Sequence, residues 1–386
     1  MIFLQNIKSE FKKIIHMSLD YLLCNIIKSE IDNSLWIDLF LSEKVHAFDI
    51  SGDFNIGKND IHSYDLISKH LFPKNVPLNS FLVTQAQLLN RSYIYSLKNA
   101  KLLGKYPLIY TDCGHLIKDA VFFSDEHARL REQLLFNKKF SLLRFYKRTK
   151  KINIECAVLM FSLWNHFGHW LPEHALKLRK VNLLREEGMT DIKLIVEDDF
   201  PSWKMDVIKR LGWNESDLIY WKYNEMEVIN LIIPSYPIPS YHDFKWLKES
   251  LVPQSFKTKQ SKNIYLSRHN YPTRKVSNEN ELELMLQKYN FETIYPEEIS
   301  LEEQVKILKS AKIVIAPHGS ALTNIIFSDN IKVIELFGTH VPLAFYCLSM
   351  VLGFEHHQLY CEDDGSRNSN IYVNTNQLES IIIEII

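Results

Sequence analysis

Glycine is scarce in this 386-residue chain, at 11 residues, and none of them opens a GK[ST] motif. A Gly-rich phosphate loop of the Walker type is therefore missing, and ATP hydrolysis has no support. The five cysteines (Cys24, Cys113, Cys156, Cys347, Cys361) are scattered, odd in number and without a CxxC pair. That excludes a disulfide framework or a structural zinc site and reads as reduced, mostly buried thiols of a cytosolic protein. Neither charge sign dominates: 45 Lys and Arg face 46 Asp and Glu, net −1, so no global basic field draws the chain to nucleic acid. Long apolar runs are missing too. The N-terminal stretch is interrupted by Lys8, Glu10, Lys12, Lys13, Asp20 and Lys28, leaving uncharged runs too short to span a bilayer, and no small-residue cleavage site follows. It reads as a helix docked on the N-terminal region, with a helix lying in a membrane interface as the other reading.

What is present is a globular composition, 46% hydrophobic and 24% charged, in a chain long enough for two domains. Residues 1–80 read as a helical extension. From Phe81 to Phe123, short apolar runs bounded by turn residues ("SYIYSLKNAKLL", "YPLIYTDCGHLI", "AVFF") predict a small antiparallel region. The basic run Lys138 to Lys151 reads as a solvated connection, or as a patch for an anionic surface. After Cys156 strands and helices alternate, and Pro234, Pro237 and Pro239 mark a junction. Beyond it the βα alternation is cleaner, ending in a helix capped by Asn374 or Asn376. Such alternation predicts a parallel sheet covered on both faces, with ligands beyond the carboxyl ends of the strands.

Four segments carry chemistry. In "WNHFGHWLPEHALKLRK", three histidines and a glutamate crowd into nine residues, His166 to His174. His169 and Glu173 are four apart and share a helical face, a base with its orienter. The set His166, His169, Glu173 and His174 could instead ligate zinc, although the spacing is not HExxH, or could merely cap a helix. Pro172 predicts the first turn of a helix that starts after the loop "NHFG". Arg268 and Arg274, near a strand end, suit a diphosphate, or pair with acids such as Glu279. In "IVIAPHGSALTN", a strand runs through His318, Gly319 and Ser320 into a helix start, which can face an anion or be an ordinary turn. Glu335 interrupts the apolar strand "KVIELF", where a carboxylate could accept the hydroxyls of a ribose. Tyr236, Tyr241 and Trp246 could stack on sugar rings or pack at a domain interface.

Taken together, "NHFGHWLPEHALKL", the segment from "IYLSRHNYPTRKVSNE" through "APHGSALTNIIF", and "KVIELF" resemble glycosyltransferase family 61, over roughly Tyr93 to Phe337. The resemblance implies a GT-B-like α/β fold: two Rossmann-like domains facing across a cleft, behind an N-terminal helical and small β extension. The acceptor-side domain would span 81–239 and the nucleotide-sugar domain 240–386, its last helix able to pack back on the N-terminal one. It implies an inverting transfer from a nucleotide-sugar, UDP-linked by expectation, to a glycan or lipid-linked acceptor in capsule or other surface polysaccharide synthesis, with no metal or cofactor. Carried over by motif position, Arg268 and Arg274 would hold the diphosphate, His318, Gly319 and Ser320 would cradle it, and Glu335 would bind the ribose. Asn278 and Gln304 would also serve the donor, or Gln304 would only orient the phosphate loop. Asn165, His166 and Trp170 would face the acceptor, and either Glu173 or His169 would take the proton. The expected place of work is the cytoplasm, peripheral at the inner membrane face. Competing readings are a polysaccharide pyruvyltransferase-like enzyme using phosphoenolpyruvate, a zinc hydrolase on His166, His169 and Glu173, and a catalytically silent glycan-binding protein.

Overall fold

The computed structural model describes residues 45–48, 94–112, 114, 116, 117, 133, 137, 153–222, 225–234, 241–256, 258–339, 344–366 and 368–386. The N-terminal helix, the "AVFF" strand, the basic run, Tyr236, Pro237 and Pro239 lie outside them.

Two sheets organise the described chain. The first contains β1 (Val45–Phe48), β2 (Ile94–Leu103), β3 (Leu108–Tyr110), β4 (Asn153–Leu159), β5 (Lys193–Glu197), β6 (Leu218–Trp221) and β7 (Glu225–Pro234). Its order is β1-β2-β7-β4-β5-β6, with β3 on β2; β7, β4, β5 and β6 run parallel. The expected small antiparallel region is not separate: β2 pairs antiparallel with β7 from Ile94↔Pro234 to Leu103↔Glu225, extending the parallel sheet. Burial explains it, since Leu97 and Leu102 lie with Leu231 and Met226 in one core.

The second sheet contains β8 (Lys262–Leu266), β9 (Phe291–Ile294), β10 (Ala311–Pro317), β11 (Lys332–Phe337) and β12 (Glu355–Tyr360), all parallel, in the order β12-β11-β10-β8-β9. Counted from β8 this is the doubly wound order 2-1-3-4-5, whose topological switch lies between β8 and β10. The near-continuous apolar run of β10 follows from burial on both faces.

Helices cover both sheets: α1 (Lys177–Glu186), α2 (Ser202–Arg210), α3 (Tyr241–Leu251), α4 (Glu279–Gln287), α5 (Leu301–Ser310), α6 (Ala344–Leu352) and α7 (Thr375–Ile385). Ser300 and Glu303 form a reciprocal capping box on α5, and Asn374 caps α7 by accepting from the Gln377 amide. The closing helix packs on α4 and buries Leu378, Ile382 and Ile385 with Tyr265 and Ile313; these partners belong to the second sheet, not to the N-terminal half. Another core is continuous between the sheets. Val158 and Leu194 from the first share it with Phe244 and Leu247 of α3 and with Val314 and Ile326 of the second half. Trp246 packs against that core, while Tyr241 is exposed. Among the described residues, no helix is long and apolar enough to cross a membrane.

Candidate active site

The histidine-rich stretch leaves the carboxyl end of β4, and its helix begins earlier than Pro172 suggested. One α-helical turn at Phe167–His169 runs into a π-helical segment, Trp170–Ala175, before α1. Pro172 is its third residue, so the reading of Pro172 as a first-turn residue is corrected. Proline has no N–H to give to the carbonyl four residues back and its ring crowds that carbonyl, so the ladder widens there instead of continuing as α-helix. Inside the wide turn, His169 Nδ1 is hydrogen-bonded to Glu173 Oε1. The His169 side chain keeps 27% of its surface exposed against 14% for Glu173. His174 turns the other way, with Nε2 3.2 Å from Ser162 Oγ and Nδ1 3.2 Å from Lys177 Nζ. Burial pulls the Lys177 ammonium down to about 8. The zinc set is thus not assembled, and among the described residues no group of three or more His, Cys, Asp or Glu is placed to hold a metal.

Trp170, assigned to the acceptor side from sequence, has no exposed surface; its indole N–H donates to the Met160 carbonyl at 2.9 Å. That assignment is corrected: Trp170 is the anchor of the π turn, edge-on to Trp203 at 5.4 Å. Asn165 Oδ1, by contrast, is buried with no hydrogen-bond partner beside the histidines. His166 is exposed, its ring 4.7 Å from that of His169.

The second group stands on the carboxyl ends of β8 and β10, at either side of the switch. Arg268 follows β8, is 95% buried by accessible surface, and lies with its guanidinium 4.5 Å from the Tyr271 ring. It donates to the Thr273 carbonyl at 3.3 Å, while its Nε has no partner. Burial first, and Arg274 second, bring Arg268 down to about 10, so it stays cationic at neutral pH. Arg274 sits at φ +58, a left-handed conformation that arginine adopts at a cost. Gly319 makes room for Arg268: a Cβ there would lie 2.0 Å from Nη1.

The turn after β10 continues as a 3₁₀ helix, Ser320–Phe327, buried along nearly its whole length. Here the halves meet. Ser320 Oγ is 3.2 Å from His166 Nδ1, and a Cβ on Gly168 would lie 2.7 Å from Ser320 Oγ and 3.1 Å from its Cα. A larger residue at 168 would crowd that approach, pushing the Ser320 hydroxyl aside and pressing on its backbone.

Gln304 and Asn278 take structural hydrogen bonds. Gln304 Nε2 donates to the Pro296 and Ile299 carbonyls and Oε1 accepts from Asn324, tying the loop after β9 to the 3₁₀ helix. Asn278 is corrected as a donor ligand: its amide holds the Val373 backbone at both ends, and also Glu281, so it fastens the segment before α7. Glu279 accepts from Tyr265 and Ser267 beneath the Arg268 loop and does not pair with either arginine. Glu335 is corrected as well. It has no exposed surface, and its oxygens face His318 Nδ1 at 2.6 Å and His356 Nε2 at 3.1 Å, so no ribose reaches it.

A cleft of ≈ 330 Å³ opens between the halves, walled by Phe167, Trp203 and Asp206 on one side and by Tyr271, Glu297 and Asn324 on the other. Asn324 was not singled out from sequence, although an Asn inside the apolar "SALTNIIF" was its signal. Its Oδ1 is buried without a partner. A second, much narrower cleft is lined by Arg274, His318, Gly338, Asp363 and Ser366.

No curated protein matches the chain. Residues 167–334 match the glycosyltransferase 61 family model, from the helical turn that bears His169 to the residue before Glu335. Across that span, which holds the histidine turn, both arginines and the His-Gly-Ser turn, the chain is similar to glycosyltransferase family 61.

Proposed function

We propose that the protein is an inverting glycosyltransferase of GT-B plan that moves a sugar from a nucleotide-sugar, UDP-linked in the first instance, to a hydroxyl of a glycan or lipid-linked glycan. The observation that carries this reading is the contact of the His169 turn with the Ser320 turn through Gly168. It sets a base-bearing helix from one half against an anion-facing turn from the other.

In this reading the diphosphate lies at the β8/β10 switch, held by Arg268 and Arg274 and by the Gly319–Ser320 turn. The nucleoside fills the larger cleft. Tyr271, already under the Arg268 guanidinium, offers a ring face to the nucleobase. No lysine or arginine is among the residues lining that cleft, which suits an uncharged nucleoside next to a cationic phosphate site. Nucleobase stacking and hydroxyl recognition need such a wall.

His169 is the base and Glu173 its orienter. With Nδ1 fixed on the carboxylate, Nε2 is the nitrogen left to take a proton from the acceptor hydroxyl, whose oxygen attacks the anomeric carbon as the diphosphate leaves from the opposite face. One base and no protein nucleophile give inversion. Arginine charge and the turn's amides stabilise the leaving group without requiring a metal. Surface polysaccharide assembly at the inner face of a membrane is the setting this chemistry suits.

The test is turnover of a panel of UDP-, GDP- and CMP-sugars with and without EDTA, read as free nucleotide, with the product's anomeric configuration determined by NMR. The reading expects one donor to be used in the presence of EDTA, with inversion. A retained configuration, or turnover abolished by chelation and restored by metal, would sink the mechanism.

A further inference from the structure

Two carboxylates stand on the walls of the cleft between the halves, Asp206 from α2 and Glu297 from the loop after β9. The transfer mechanism uses neither, and they differ in what surrounds them. Glu297 lies in a short 3₁₀ turn, Pro296–Glu298, closed by the Glu298 amide donating to the Tyr295 carbonyl at 3.0 Å. That turn is tied down around it. The Pro296 and Ile299 carbonyls both accept from Gln304 Nε2, at 2.8 and 3.3 Å. Glu298 accepts from Asn270 at 2.7 Å, which fastens the turn to the loop carrying Arg268, Tyr271 and Arg274. The Glu297 carboxylate, by contrast, makes no hydrogen bond or ion pair among the described residues, and it is exposed on the cleft. A fixed backbone thus presents an uncommitted carboxylate.

The sheet register says what that carboxylate stands beside. Strands β8 and β9 end level, with Leu266 opposite Ile294, and the Ser267 amide continues the pairing onto the Ile294 carbonyl at 2.9 Å. Arg268 leaves the first of these strand ends, and Glu297 stands just past the second. In nucleotide-binding doubly wound sheets the phosphates lie at the end of the first strand of the unit. An acid past the end of the neighbouring second strand takes ribose hydroxyls. Counted from β8, β9 is that second strand. The electrostatics agree: burial first, and the Glu297 charge second, push the Tyr271 phenol above its ordinary value. Asp206 lacks this placement, since it comes from the other half and faces the Arg268 loop from across the cleft.

Resting on the glycosyltransferase reading, we propose that Glu297 takes the ribose diol of the donor nucleotide and so selects ribonucleotides against their 2′-deoxy forms. The 2′- and 3′-hydroxyls donate to the two carboxylate oxygens, while the base lies on Tyr271 and the diphosphate on Arg268. A 2′-deoxy donor brings one hydroxyl instead of two. The oxygen left over has no compensating cation, because no lysine or arginine lines that cleft. Sugars linked to thymidine diphosphate, a 2′-deoxynucleotide, are therefore poor donors. The role is the one read from sequence for Glu335, carried instead by a carboxylate that a ligand can reach.

The test is calorimetric titration of the full chain with UDP, GDP and CMP, each beside its 2′-deoxy counterpart. Wild type is compared with Glu297→Ala and Asp206→Ala. The nucleotide that binds wild type is expected to bind at least about tenfold more tightly than its deoxy form, the scale of one hydrogen bond to a charged group. In Glu297→Ala the ribonucleotide weakens until that ratio is below about threefold, the loss of the same bond. The deoxynucleotide keeps most of its affinity there, which also shows that the variant is folded. Asp206→Ala keeps the wild-type ratio. The assignment is overturned by a smaller wild-type ratio, by a ratio that survives in Glu297→Ala, or by one that Asp206→Ala abolishes. If no nucleotide binds wild type, the donor reading itself falls, and the ribose site falls with it.

Discussion

The two turns that meet at Gly168 are built on opposite principles. The His169 turn is shaped by its backbone: a proline opens the helix into π geometry, an invisible core anchor in Trp170 holds it, and the working pair His169–Glu173 remains partly exposed. The turn after β10 is shaped by buried side chains. Arg268, His318 and Glu335 are fixed by neighbours in the sheet and by aromatic rings, with orphan donors left over. A base that must release its proton to water benefits from exposure. An anion site gains from desolvation, because the same charges act more strongly at lower dielectric. The difference teaches that the first turn should fail through geometry and the second through charge.

The sharpest way to break the comparison is on the exposed side. His169→Ala should cut donor turnover by about 10²–10⁴-fold while nucleotide affinity stays within a few-fold, as expected for loss of a general base. Steady-state kinetics beside calorimetric nucleotide binding separate the two quantities. On the buried side, Arg268→Ala should do the reverse first, weakening nucleotide binding by roughly 10–100-fold, the scale of one or two charge-assisted hydrogen bonds. Equal losses in both parameters for both variants would erase the distinction.

Two glycines sharpen it further. Gly168→Ala places a methyl group against the Ser320 backbone and should lower stability by about 1–3 kcal/mol as well as activity, readable as the midpoint of denaturant unfolding. Gly319→Ala meets a side chain rather than backbone, the guanidinium of Arg268, and should lower that midpoint less than Gly168→Ala does while weakening nucleotide binding more.

The smallest effect concerns pH. Glu335 has a folded pKa raised above its unfolded one, so its contribution to stability is full below the unfolded value and is lost as pH rises through the folded value. Wild type should therefore lose stability relative to Glu335→Gln as pH is raised from about 4.5, the ordinary glutamate range. A pH-independent difference in unfolding midpoints between the two proteins would contradict the buried, protonated acid.

The second half was legible in the sequence because parallel strands buried on both faces are unbroken apolar runs, as in "KIVIAP" and "KVIELF", separated by amphipathic helices. The first half hid more. The strand β4 lies central in its sheet but carries an exposed Glu155 near its start, which broke the apolar run. Helix α3 follows directly on the proline cluster, whose turn signal masks the helical period of Tyr241–Leu251. The π turn was out of reach of a 3.6-residue period, so Pro172 looked like a helix start. Trp170 and His166 looked equally available, although one is core and the other exposed. Arg268, Arg274 and His318 fell at strand ends where topology places ligands. Glu335 did too, but its partner His356 could be named only once the register of β11 on β12 was known.

The measurement that bears most directly on the central claim is calorimetric titration of the full chain with UDP, GDP, CMP and phosphoenolpyruvate, repeated on Arg268→Ala with EDTA present throughout. The account predicts saturable binding of one nucleotide that weakens at least tenfold in the variant. Binding of phosphoenolpyruvate alone, or nucleotide binding indifferent to Arg268, would contradict a nucleotide-sugar site at the β8/β10 switch.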